Sequence, residues 1–324
     1  QRCRVYTPSC RTSGLNWPLY SEDRLLIGSL VNLAEETLAE KTVAIPVQAD
    51  NRGYLRALYS LVRDLKKSVP RESELLGAGI STIGTVDSEK KIWIEATRWP
   101  KIKKVDFNRV EKTIGTPVLL KRWLDTELEY QLLRDPSCRT GNTLLYHWGM
   151  GIGAAFSYNG VVLNSRFGKF ADAGHSIVDP LSKRRCRCGL IGCLEAHAST
   201  FALIPAIRRI HPEVRENIHD VEDALRDPAV LAEPEMEEAI RLVGVNLANL
   251  FKTLLPERIF FMGPFLKNPK IFTTVKDRLE KTFYSHIGDK VRIEVVEDQF
   301  RFCKIANVKP FFLERLREEL RAKN

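Results

Sequence analysis

Cys186, Cys188 and Cys193 set three thiols within eight positions of a 324-residue chain whose other four cysteines are scattered. Thiolates are strong zinc ligands, and glycines at 189 and 192 allow so short a loop to curl round an ion. A tetrahedral site then lacks one ligand, and two histidines are placed to supply it. His197 follows Cys193 by four residues and would make the site wholly local; His175 precedes Cys186 by eleven and would tie the loop to an earlier segment. Seven cysteines is an odd number, and a reducing cytosol keeps thiols free, so metal binding takes precedence over a disulfide knot. Three free buried thiols are the plainer alternative. With four ligands in place the metal has no open position, so its expected role is structural rather than catalytic.

Such a staple has to hold something. At 44% hydrophobic residues the chain is large enough for two cored lobes without disulfides. No window approaches the ~18 uncharged apolar residues of a membrane span, and the start lacks the basic-apolar-small order of a signal peptide. The expectation is a cytoplasmic protein with no membrane partner. The net charge of +9 is spread along the chain, and its clusters at 101–104 and 182–187 read as solvated surface rather than nucleic-acid contact. Residues 1–20, without an initiator Met or a clear period, read as a tail or the remnant of a longer chain.

Beyond the tail, short β-rich runs alternate with helical periods. Strands are expected at "RLLIGSLV" (from 24), "TVAIPVQ" (42), "GAGISTIGTV" (77), "KIWIEAT" (91) and "TPVLL" (116), with a helix over 53–68 carrying Leu55, Leu58, Val62 and Leu65 at helical spacing. A second set follows: strands at 142–149 and 153–164 joined by a glycine turn, a helix opening near Leu194, a helix over 235–255, a strand at 258–263, a helix over 270–286, a strand at 291–297 and a closing helix from 308. Two α/β lobes result, 21–120 completed by the closing helix 308–324, and 121–307 with the loop 175–193. No internal repeat is visible.

The run "GMGIGAAFSYNGVVLNSRFGKFADAGH" (149–175), followed by "CRCGLIGCLE" (186–195), resembles the ROK family of bacterial sugar kinases, including glucokinase-like enzymes, and sugar-responsive transcriptional repressors. The likeness extends back through 77–96 and "GTPVLL" and forward to "LPERIFFMGPF", covering roughly residues 24–315. The cysteine motif is specific; the glycines Gly149, Gly151 and Gly153 alone would be weak. The resemblance implies the actin-like ATPase (ribonuclease H-like) fold, with a sugar cleft between two α/β lobes. It also implies zinc on His175, Cys186, Cys188 and Cys193, favouring His175 over His197. Glu195 and His175 match positions similar to the family's sugar contacts, so the zinc loop would present the sugar site.

Position by position, the chain departs from the kinases of that family. A sugar hydroxyl needs a general base as the phosphoryl group is transferred, and the kinases carry it as the Asp of an Asn-Asp pair after the "PV" strand. Here that pair falls on Arg122 and Trp123, while Asp125 comes two residues later, where a strand-to-helix turn would aim it elsewhere. The early Asp-x-Gly-Gly-Thr phosphate loop is matched, on the strand from Leu25, by a single glycine. A later Gly-Gly pair appears as Gly263-Pro264, and proline lacks the N–H donor. Met150 replaces the threonine of the Gly149 turn. Three separate departures argue against phosphoryl transfer and against an ATP–magnesium cofactor.

On the sugar side, Asp172 stands where a Glu is usual, Ile83 where a Pro is usual, and an expected Asn falls near Arg98. Helix capping or solvation is the plainer role for Glu195 and Asp172. Arg122, Trp123 and Arg98 would suit an anionic or phosphorylated sugar, or would fill the cleft themselves. The chain therefore reads as the sugar-sensing, dimerising body of a ROK transcriptional regulator with a degenerate kinase site. It would work as a homodimer or tetramer with a sugar or sugar-phosphate effector. DNA would be reached only through a domain outside this chain, since residues 1–20 are too few for a helix-turn-helix. The alternatives are an active sugar kinase and a ROK-derived protein-interaction module.

Overall fold

Strand β1 (Leu15–Glu22), β2 (Leu25–Val31) and β3 (Thr37–Ala44) open the described chain as an antiparallel meander. The structure, a computed structural model, describes residues 15–22, 25–46, 48–96, 99–165, 167–168, 170–287, 290–296 and 303–321. Helix α1 (Asn51–Lys66) crosses back to β4 (Leu75–Thr82), which lies parallel to β1. The Asp50 carboxylate caps α1 by accepting the Gly53 N–H at 2.8 Å, and Tyr54, Leu58, Leu61 and Leu65 turn into the core. A side sheet of β5 (Thr85–Asp87), β6 (Ile92–Glu95) and β7 (Lys103–Asp106) is followed by helix α2 (Phe107–Ile114). Then β8 (Val118–Arg122) pairs parallel to β4 and runs directly into helix α3 (Trp123–Arg134). The main sheet has the order β3-β2-β1-β4-β8.

The placement of β1 corrects the reading of 1–20 as a tail for residues 15–20, while 1–14 lie outside the described residues. Leu15, Asn16, Trp17 and Leu19 are fully buried in a central strand. A strand covered on both faces loses the polar–apolar alternation by which strands are recognised. Pro18 reinforces the misreading, because proline is normally excluded from central strands. Here the ladder to β2 pairs at Asn16 and resumes at Leu19, so Pro18 falls in a gap of that ladder. The expected strand at 42–48 is likewise displaced to 37–44, an edge strand so exposed that its periodicity is faint.

The second half is built from β9 (Asn142–Trp148), β10 (Ile152–Tyr158) and β11 (Val161–Val162), again an antiparallel meander. Helices α4 (Leu194–Ala198), α5 (Thr200–Ile210), α6 (Ile218–Ala224), α7 (Pro228–Leu231) and α8 (Pro234–Leu254) follow. Strand β12 (Arg258–Met262) then pairs parallel to β9, and after α9 (Pro264–Lys267) and α10 (Pro269–Glu280) β13 (Arg292–Val295) pairs parallel to β12. The sheet order is β11-β10-β9-β12-β13. Both sheets thus share one plan, three antiparallel strands extended on the first by two parallel ones. The chain repeats its topology without repeating its sequence.

Helix α11 (Cys303–Arg321) returns to the first sheet, where Val308, Phe311 and Phe312 pack with Val31. Gly77 and Gly79 make that contact possible: a Cβ on Gly77 would sit 2.3 Å from the Phe311 ring, and one on Gly79 would sit 2.4 Å from the Asn307 carbonyl. Among the described residues, 15–130, 165–168 and 303–321 make one compact unit and 131–164 with 170–296 the other, so the first unit extends past the expected boundary at 120. No helix of the described residues is long and apolar enough to cross a membrane.

Candidate metal centre and sugar-site residues

The ligand atoms of His175, Cys186, Cys188 and Cys193 all lie within 4.8 Å of one another. Cys186 Sγ is 3.6 Å from His175 Nδ1, and Cys188 Sγ is 3.6 Å from Cys193 Sγ. A tetrahedron of Zn–S bonds of about 2.3 Å has edges of about 3.8 Å, so donor set and spacing fit a four-coordinate zinc. Burial and the neighbouring thiols push the Cys193 thiol up to about 12; a cation among them removes that penalty by holding thiolates instead. His197 lies outside the cluster. Its ring is buried on α4, and burial lowers its pKa.

Local backbone explains how so short a loop closes. Residues 184–193 fold back through bridges at Arg185–Ile191 and Ile177–Cys193, with the Cys186 N–H donating to the Leu190 carbonyl at 2.8 Å. Gly192 is needed there: its φ is +78°, and a Cβ would sit 2.1 Å from the Asp179 carbonyl oxygen. On the other side, His175 ends a single 3-10 turn, Ala173–His175. A buried relay holds that turn, in which Tyr146 Oη donates to Asn246 Oδ1 at 3.0 Å and Asn246 Nδ2 donates to the Ala173 carbonyl at 3.4 Å. The positioning pair Tyr146 and Asn246 has no sequence signature beyond polar atoms on apolar elements.

Glu195 stands two residues after Cys193, in the first turn of α4. Its Oε2 accepts the Ile152 N–H at 3.1 Å, so the carboxylate points across to the β9–β10 turn rather than capping its own helix. The turn's glycines are shaped by this neighbourhood. A Cβ on Gly151 would lie 3.2 Å from Glu195 Oε2, one on Gly174 would lie 2.9 Å from it, and one on Gly149 would lie 2.9 Å from the His147 ring. Gly153 pairs with His147 across β9 and β10. Gly263, at φ +107°, approaches so close that a Cβ would meet the Trp148 carbonyl oxygen at 2.1 Å. His147 escaped the sequence reading; burial pushes its pKa down to about 4, against a weaker opposite effect from a hydrogen bond with the Gly151 backbone. Asp172 is exposed and makes no side-chain cap of the turn it precedes.

In the other unit, Arg122 ends β8 and Trp123 begins α3. The Arg122 Nε donates to Asp125 Oδ1 at 3.0 Å and its Nη2 reaches the same oxygen, with both side chains 7% exposed. A buried guanidinium must be paired, and Asp125 pairs that of Arg122 from inside. Thr126 tightens the junction through a 3.1 Å hydroxyl contact with Ser81 of β4. Ile83 is half-buried, its carbonyl accepting the Trp93 indole N–H at 2.8 Å. Arg98 lies outside the described residues.

The sequence profile of the ROK family matches residues 26–301. The chain belongs to the ROK family. Its relatives include a putative xylose repressor of Caldicellulosiruptor sp. (strain Rt8B.4), 26% identical over an alignment of 309 residues that covers 86% of this chain and 73% of that protein. The xylose repressor of Caldicellulosiruptor bescii is 23% identical over 252 residues, covering 71% of this chain and 61% of the relative. The xylose repressor of Bacillus spizizenii is 20% identical over 221 residues, 68% of this chain, which spans 56% of its length. Among solved structures, a ROK family transcriptional regulator homologous to the Escherichia coli Mlc protein superposes with a TM-score of 0.76 at 21% identity, covering 93% of this chain and 79% of the other. A ROK family glucokinase from Streptomyces griseus, in complex with glucose and AMPPNP, gives 0.70 at 19%, covering 91% and 99%. At such identities the likeness shows the fold, which is the actin-like fold of ROK kinases and regulators alike.

Proposed function

We propose that this ROK chain is the effector-sensing body of a transcriptional regulator whose kinase-like site no longer transfers phosphate. One observation carries the reading: at the β8–α3 junction, where the family's kinases place their general base, stands Trp123, and Asp125, two residues on, is engaged by Arg122. An indole cannot take a hydroxyl proton, and Asp125 Oδ1 is already held by the Arg122 guanidinium. The phosphate side supports the same reading. With β1 recognised, the β1–β2 connection falls on residues 23–24, outside the described residues, and no glycine occurs between Leu15 and Leu25. Pro264 occupies the first position of α9. Gly149, Gly151 and Gly263 have packing reasons to be glycine without any nucleotide.

In this reading His175, Cys186, Cys188 and Cys193 hold a structural zinc. The ion fixes the segment that ends in Glu195, while Glu195, His175 and Asp172 offer hydrogen bonds to a sugar or sugar-phosphate effector. The chain works as a homodimer or tetramer that serves a DNA-binding domain. The test is a phosphotransfer assay with Mg-ATP over a panel of aldohexoses and N-acetylhexosamines. No turnover above the enzyme-free control is expected, and turnover with any sugar would refute the reading. The kinase alternative is favoured by one feature, Asp125 Oδ2, which is buried without a hydrogen-bond partner. Turnover abolished by Asp125→Asn would establish that alternative.

A further inference from the structure

The four ligands of the metal cluster do not meet solvent equally. Cys186 and Cys193 are buried and His175 is half-buried, whereas Cys188 is exposed. Open space lies on its far side, since a Cβ on the adjoining Gly189 would touch nothing within 4 Å. The Cys188 Sγ is 3.6 Å from that of Cys193. A disulfide needs about 2.05 Å, so the pair has only about 1.5 Å to close.

We propose that Cys188 is an oxidant-modification site, the point at which hydroperoxides enter the zinc centre, with Cys193 as its resolving partner. The inference rests on the zinc reading above. The Cys188 thiolate attacks one peroxide oxygen; an S–O bond forms, the O–O bond breaks and hydroxide leaves, so sulfur loses two electrons and the peroxide gains them. The Cys193 thiolate then attacks the sulfenic sulfur; an S–S bond forms, the S–O bond breaks and a second hydroxide leaves. Two thiolates and one hydrogen peroxide become one disulfide and two hydroxides. The ion retains only Cys186 and His175 and dissociates as Zn²⁺. Glu195 begins two residues beyond Cys193, so the same event loosens the segment that presents it.

The experiment uses the full chain, its zinc first quantified by elemental analysis, titrated with hydrogen peroxide in the presence of a metallochromic dye. One zinc released per peroxide consumed is expected, with loss of two titratable thiols, a Cys188–Cys193 cross-link on peptide mapping, and recovery after reductant and zinc are added. Cys188→His keeps four ligands and is expected to release its zinc at least about tenfold more slowly. Equal release from that variant, or a cross-link that omits Cys188, would overturn the proposal while leaving the zinc reading intact. A chain that holds no zinc after reconstitution would overturn both.

Discussion

His147 combines burial with a titratable ring, and that combination has a pH signature. Its folded pKa is about 4, below the ordinary histidine value of ~6.5, so the neutral ring stabilises the fold above that value. The contribution is lost as pH falls from ~6.5 towards 4, by up to about 3 kcal/mol. Urea midpoints measured between pH 7 and 5 are expected to drop in the wild type and to fall less steeply in His147→Gln, with both proteins in the same zinc state; parallel slopes would contradict the assignment. The metal residues make a second expectation. Cys186→Ser should lose most of its zinc, and hydrogen exchange should rise within 175–193 while the core of β9 stays protected; full occupancy would contradict the four-ligand set. The cysteines were legible because ligand chemistry restricts both type and spacing. His147 and the Tyr146–Asn246 relay were not, because a single polar atom on a buried element leaves no period to read, and only the fold brings it to its partner.

Between elements, the decisive contact is α11 against the first sheet. Phe311 fills the space that Gly77 leaves, so Phe311→Ala opens a cavity and is expected to cost about 3 kcal/mol by chemical denaturation, whereas Gly77→Ala pushes a Cβ into the ring and destabilises through overpacking. Changes below about 0.5 kcal/mol in both would mean that α11 is only loosely attached. Amphipathic elements such as α1 were legible, since their buried positions follow helical spacing. Strand β1 was hidden by burial on both faces and by Pro18, and α5 carries Pro205 within its turns. Strand β1 also bears on the site, because it moves the position equivalent to the phosphate loop from β2 to the β1–β2 connection. At the β1–β2 connection even the single glycine of β2, Gly28, drops out of the comparison, since no glycine occurs between Leu15 and Leu25.

At the scale of the whole molecule, the two sheets repeat one plan that the sequence does not repeat, because hydrophobic pattern and connection length fix topology while leaving residue identity free. The fold is therefore shared by kinases and regulators, and function has to be decided at sites grafted on it. On the function proposed above, this chain keeps the body and has lost the phosphate chemistry. The most direct test is calorimetric titration of the zinc-loaded protein with Mg-ATP, alone and with a hexose mixture present. No nucleotide binding is expected in either condition; saturable binding in the micromolar to low-millimolar range of working substrate sites would contradict the proposed function.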